Sequence, residues 1–270
     1  MSSLKELQRT FDQNAQKDAL FTVCTDQTKA GGRWETSEFL ATGEKEIGRV
    51  MDYVSGLGVG LNFSGTCLDF GCGVGRLTQA LAKRFRHCTG VDISSVMIEK
   101  ANSINRISER CDFRLNQLPM LELFDRGVFS FVYSNIALQH MPPHHATRYL
   151  SEFVRVLAPG GVIVFQAADS MRGSLPTRMR AKLQLRARVK GLFGVKPIVI
   201  YFLPEERVRR ALGPVRIVDV CYTNATNANF NGDIVFQKQA PRSGPVSKQY
   251  CVIKLERGQA TSSSTDLRPI

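Results

Sequence analysis

The chain reads as an α/β protein: a doubly wound, mostly parallel sheet of seven strands with helices on both faces. Three observations predict it. Short apolar runs alternate with amphipathic segments of helical period from residue 66 to residue 165, the pattern of strands joined by helical crossovers. The first run, Thr66-Cys67-Leu68-Asp69-Phe70, opens directly into Gly71-Cys72-Gly73-Val74-Gly75. A second run, Cys88-Thr89-Gly90-Val91-Asp92-Ile93, ends in an acid 23 residues after Asp69.

Each element follows in order. The alternating glycines let the backbone turn sharply and approach a ligand that a Cβ would exclude, and the N–H groups of the next helix end then face that ligand. Arg76 stands where a Gly-x-Gly-x-x-Gly dinucleotide fingerprint has its third glycine. Residues 76–85 carry Leu77, Ala80, Leu81 and Ala82 at helical spacing. An acid at the position of Asp92 accepts hydrogen bonds from ribose hydroxyls in doubly wound folds. Ser94 then caps a helix over 94–105. Residues 112–115 and 129–133 make the third and fourth strands, and a helix over 144–157 places Leu150, Phe153, Val154 and Leu157 on one face. Pro159-Gly160-Gly161 breaks the chain before a fifth strand at 162–165, with further strands near 215–222 and 249–255. A ligand belongs outside the carboxyl ends of these strands, where Asp69, the glycine loop and Asp92 converge.

Asp69-Phe70-Gly71-Cys72-Gly73-Val74-Gly75 resembles the first motif of the class I S-adenosylmethionine-dependent methyltransferases. Ser130-Phe131-Val132-Tyr133-Ser134-Asn135 with Leu138-Gln139-His140-Met141 resembles the fourth-strand region of the small-molecule branch of that superfamily, and Leu157-Ala158-Pro159-Gly160-Gly161-Val162-Ile163 its signature before the fifth strand. The resemblance is clear over 65–165 and looser as far as 255. It implies a Rossmann-like fold, methyl transfer, and S-adenosylmethionine as cofactor. The implied cofactor contacts are Asp69, Gly71, Cys72, Gly73, Gly75, Asp92, Ile93, Met97, Asn116, Gln117 and Asn135. Met97 either covers the adenine edge or is ordinary core. Where the family often has an acid to meet the adenine amino group, this chain has Asn116 and Gln117; an amide oxygen still accepts from that group.

His140 is the candidate catalytic base, because a phenol or hydroxyl acceptor benefits from one. Its alternative role is to hydrogen-bond the backbone and hold the loop before Pro142-Pro143. His140, His144 and His145 crowd together, but no acid lies between Asp125 and Glu152, so no metal site is expected.

Composition sets the frame. With 270 residues the chain suits one α/β domain with extensions. The expected organisation is a helical extension or lid over 1–60, a methyltransferase domain over 61–257 with a basic insertion at 170–203, and a Ser/Thr-rich flexible tail over 258–270. In the extension, Leu4, Leu7 and Phe11 form a helical stripe, Trp34 reads as a packing anchor, and residues from Phe39 to Val54 as an amphipathic helix on the sheet. The seven cysteines form no Cys-x-x-Cys pair and read as buried reduced thiols. Together with a start lacking an apolar signal core and the lack of a spanning apolar run, this sets the expectation of a cytoplasmic protein.

The net charge of +12 is uneven: residues 1–169 carry 18 Lys/Arg and 18 Asp/Glu, whereas 170–270 carry 18 and 6. Arg172, Arg178, Arg180, Lys182, Arg186, Arg188, Lys190 and Lys196 lie in a stretch without an acid, read as an irregular helix on composition. Such a stretch attracts an acidic substrate, anionic lipid headgroups at a membrane surface, or RNA, or it is a solvated face. No Asn/Asp-Pro-Pro-Tyr element or Pro-Cys nucleophile follows the fourth strand, which reads Ser134-Asn135-Ile136-Ala137. The expected acceptor is therefore a small or lipid-like molecule of anionic character, with an RNA or other macromolecule as the alternative. Oligomeric state is not legible.

Overall fold

The computed structural model describes residues 4–172, 198–225, 233–241 and 244–254. Among the described residues eight strands form one sheet: β1 Thr66–Phe70, β2 His87–Asp92, β3 Cys111–Leu115, β4 Phe129–Ser134, β5 Leu157–Arg172, β6 Arg216–Thr223, β7 Phe236–Gln237 and β8 Gly244–Ile253, in the order β3-β2-β1-β4-β5-β8-β6-β7. The first five are mutually parallel. β8 inserts antiparallel between β5 and β6, and β7 is a two-residue edge on β6. That short edge makes eight strands where seven were expected. The order runs outward in both directions from β1 and β4, which creates the topological switch point at which doubly wound folds bind ligands.

Helices α1 Leu4–Val23, α2 Thr36–Gly56, α3 Arg76–Ala82, α4 Ser95–Ser103, α5 Pro143–Val156 and α6 Glu205–Leu212 cover the sheet. Successive strand residues point to opposite faces. Leu68, Phe70 and Val132 thus meet Tyr149, Leu150 and Phe153 of α5 and Val208 of α6. Cys67, Phe131 and Tyr133 meet Ile47, Val50 and Val54 of α2 and Leu77 and Leu81 of α3. Cys67, Cys88 and Cys111 are register partners on β1, β2 and β3, and all seven cysteines are buried free thiols. Trp34 is buried against Phe39 and donates Nε1–H to the Cys24 carbonyl. No helix among the described residues is long and apolar enough to cross a membrane.

Several boundaries differ from the sequence reading: α3 ends at Ala82 where a helix to 85 was expected, and β8 starts at Gly244 where a strand near 249 was expected. β5 is far longer than 162–165: Leu157 already pairs with Phe129, the register slips between Phe129 and Phe131, and Gly160 takes up the slip at φ 72°. Beyond Phe165 the strand continues to Arg172 along β8, and past the last β6 pair at Thr223–Ser247 it is a two-stranded arm, from Ser170 opposite Val246 to Arg172 opposite Gly244. Polar residues such as Gln166, Asp169 and Ser170 hide it from any apolar-run criterion. α1 breaks at Asp18, whose carboxylate accepts N–H bonds from Phe21 at 3.1 Å and Gly32 at 2.7 Å. The basic stretch beyond Arg172 through Lys196, including Arg178, Arg180, Arg186 and Arg188, and the tail at 258–270 lie outside the described residues.

Candidate cofactor site

The glycine loop is built from hydrogen bonds within the protein. The N–H groups of Gly71 and Cys72 donate to the Val91 carbonyl at 2.8 and 3.0 Å, and Gly75 donates to the Cys72 carbonyl at 2.9 Å. Gly71, Gly73 and Gly75 all have positive φ, at 76°, 53° and 80°, a region costly for residues with a Cβ. Protein atoms also crowd each of these positions. A Cβ on Gly71 would sit 2.3 Å from Ala137 Cβ, one on Gly73 2.6 Å from Val23 Cγ2, and one on Gly75 2.3 Å from Phe113 Cζ. Neighbouring protein atoms alone thus forbid a side chain at these three positions.

Asp92 joins the loop to the next helix. Its Oδ2 accepts the Gly73 N–H and its Oδ1 the Ser94 N–H, both at 2.9 Å. Burial pushes its carboxyl above the ordinary range, and these backbone N–H bonds oppose that rise. Ser94 caps α4 through Met97 N–H and donates its hydroxyl to Asp12 of α1 at 2.6 Å. The N-terminal helix is thereby tied across the carboxyl ends of the strands.

A concave, largely apolar cleft opens at this point, the kind of site that small molecules and cofactors occupy. Of the residues singled out from sequence, Gly71, Gly73, Asp92, Ile93, Met97, Asn116, Asn135 and His140 line it together. Leu4, Leu7 and Phe11 of α1 also line it, together with Phe70, Ile136, Met141 and Tyr149. Asp69, Cys72, Gly75 and Gln117 are not among the lining residues. Asp69 is 1% exposed and accepts the Thr78 hydroxyl at 2.6 Å; burial raises its pKa to about 7. Cys72 is buried core, and Gln117 is exposed.

Two acceptors in this cleft have no partner among the described residues. Asn116 donates Nδ2–H to the Tyr149 hydroxyl and the Leu118 carbonyl, and Asn135 donates Nδ2–H to Glu46 Oε1 at 2.7 Å. The Oδ1 atoms of both are buried and unpaired. Buried carbonyl oxygens of this kind are normally satisfied. With Asp92 between them, they form an acceptor series suited to a ligand carrying several N–H and O–H donors.

Beneath the cleft lies a network that the sequence reading missed. Glu46, fully buried on α2, accepts from Arg76 Nη2 at 2.6 Å, from the Tyr133 hydroxyl at 2.9 Å and from Asn135. Gly43, one turn earlier, lets α2 sit on the backbone of Arg76. The signal was present: Glu46 is an acid within the stripe Phe39, Gly43, Ile47, Val50 that otherwise faces the core. Arg76, noted only as a missing glycine, is its counter-ion.

The loop after β4 is strained and pinned. Among the described residues Ile136 is the non-glycine residue with positive φ, 56°, a rare state for a β-branched side chain. Its N–H donates to Gln166 Oε1 at 3.1 Å, which leaves Gln166 Nε2 to donate to Gln139 Oε1 at 3.1 Å and Ser247 Oγ at 2.9 Å. Gln139 Nε2 must then donate to His140 Nε2, at 3.4 Å, so the His140 proton sits on Nδ1, facing the Val199 carbonyl at 3.3 Å. Phe11 packs edge-on against the ring, with centroids 5.8 Å apart.

Fold and cleft define a doubly wound α/β protein with an open cleft at its switch point. Residues 67–161 match the family described as the methyltransferase domain. Over 101 residues the chain is 39% identical to trans-aconitate 2-methyltransferase of Deinococcus radiodurans, covering 37% of this chain and 36% of that protein. Over 147 residues it is 31% identical to malonyl-[acyl-carrier protein] O-methyltransferase of Salmonella typhimurium, covering 54% and 51%. The chain thus spans about half or less of the curated relatives it matches. Among solved structures, magnesium protoporphyrin IX methyltransferase from Synechocystis with bound S-adenosylhomocysteine superposes with a TM-score of 0.60 at 17% identity, over 93% of this chain and 99% of that one, a likeness of fold. Residues 67–161 thus form a methyltransferase domain.

Proposed function

We propose that this chain transfers a methyl group from S-adenosylmethionine to a small or lipid-like acceptor. The observation that carries the reading is the acceptor series Asn116 Oδ1, Asp92 and Asn135 Oδ1 along one cleft. It matches the adenine amino group, the ribose hydroxyls and the ammonium of that cofactor in turn. When bound, the cofactor supplies a methyl group on a positively charged sulfur, and in-line displacement then asks the protein chiefly for alignment and exclusion of water.

The chain's own residues provide both. Asp92 and the two amides orient the nucleoside, with Ile93 and Met97 as apolar flanks. Leu4, Leu7 and Phe11 close the cleft against water, so residues 1–60 act as its lid, tied down by Asp12 to Ser94. His140 serves as a fixed wall, since Gln139 and the Val199 carbonyl already engage both its nitrogens. The basic stretch 172–196 draws an anionic acceptor, or an anionic lipid surface that carries it, by charge. The trans-aconitate methyltransferase among the relatives supports this acceptor class.

A screen of acceptor pools for methyl incorporation from labelled S-adenosylmethionine tests the reading. Transfer to an organic acid, phenol or lipid-like alcohol is expected; incorporation into RNA alone would overturn the acceptor class.

A further inference from the structure

We infer that Glu46 is a positioning residue that sets which face of the Asn135 amide meets the cofactor; the inference rests on the cofactor reading above. Glu46 is paired with Arg76 and is an acceptor only, so the atom of Asn135 lying 2.7 Å away must be the donating Nδ2. Tyr133 donates to the same carboxylate oxygen, which leaves no lone-pair arrangement that would favour a flipped amide. Asn135 Oδ1, buried and unpaired, is therefore the atom held for the cleft. A donor on the ligand, and not an acceptor, is what this position recognises. The same carboxylate holds Arg76, the first residue of α3 after the glycine loop. One buried acid thus couples the loop to the residue after β4.

The arrangement makes a charge pattern testable by reversal. In Glu46→Gln the new amide nitrogen favours a flipped Asn135, which turns a donor toward the cofactor's ammonium. In Asn135→Asp the new carboxylate faces that of Glu46. In the double variant the amide introduced on α2 donates to one oxygen of the carboxylate introduced after β4, and the other oxygen remains an acceptor for the cleft.

Titration calorimetry with S-adenosylhomocysteine, alongside thermal melts, reads this directly. Glu46→Gln is expected to bind about tenfold more weakly, Asn135→Asp to melt lower than wild type, and the double variant to bind within about threefold of wild type. Glu46→Gln binding like wild type, or a double variant no better than Glu46→Gln, overturns the inference. Wild type that binds no S-adenosylhomocysteine overturns the cofactor reading itself, and this inference with it. Should Glu46→Gln not fold, the wild type answers alone: the Nδ2 protons of Asn135 must stay protected from exchange in the free and bound protein, and rapid exchange in either overturns the assignment.

Discussion

The Gly73 N–H donates to Asp92 Oδ2 at 2.9 Å, so the acid ending β2 and the middle glycine of the loop form one hydrogen-bonded unit. Asp92→Ala therefore removes a ligand contact and a loop support together. Cofactor binding should weaken by about 1.5–3 kcal/mol, with a lowered melting temperature in the free protein. Calorimetry and a melt on the same sample check both; unchanged binding would remove Asp92 from the site.

Gly73 faces Val23 of α1, and the clash of a Cβ there is with Val23 Cγ2. Gly73→Ala should cost roughly 1–2 kcal/mol from its positive φ, plus the cost of moving Val23. Adding Val23→Ala should recover the second part and leave the first. Equal stability of the single and double variants would show that Val23 does not limit this position.

For His140, the tautomer fixed by Gln166 and Gln139 predicts a structural phenotype. His140→Ala should melt lower yet retain turnover per folded molecule within about tenfold, well short of the roughly 10²–10⁴ typical of a lost general base. An unchanged melt with a loss in that larger range would make it the base.

Asp69 gives a pH dependence. Its folded pKa of about 7 lies above its ordinary 3.8, so the folded state holds a proton that the unfolded state releases. This group's effect favours folding most below about pH 4, declines as pH rises to about 7, and is flat above. Relative to Asp69→Asn, wild type should lose a few kcal/mol across that window. Denaturation of both at several pH values checks it; a constant difference would contradict a protonated Asp69.

Much of this molecule was legible beforehand because its signals are local. The run from Thr66 to Phe70, the glycines and Ser94 as a cap identify β1, the loop and the start of α4 within a residue or two. Asp92 was legible through its spacing. What escaped depends on contacts between distant segments. Glu46 and Asn135 are 89 residues apart, and a single acid in an amphipathic helix does not name its partner. Asp69 carries a family position yet serves the core, because Thr78 rather than the cleft takes its carboxylate. The long arm of β5 with β8 is polar, and apolar periodicity does not register it.

We propose that the series Asn116, Asp92 and Asn135 holds S-adenosylmethionine. Titration of the purified chain with S-adenosylhomocysteine, with NAD as comparator, reads this out. Saturable one-to-one binding of S-adenosylhomocysteine in the low-micromolar range and no heat from NAD are expected. Binding of NAD with none of S-adenosylhomocysteine would contradict it.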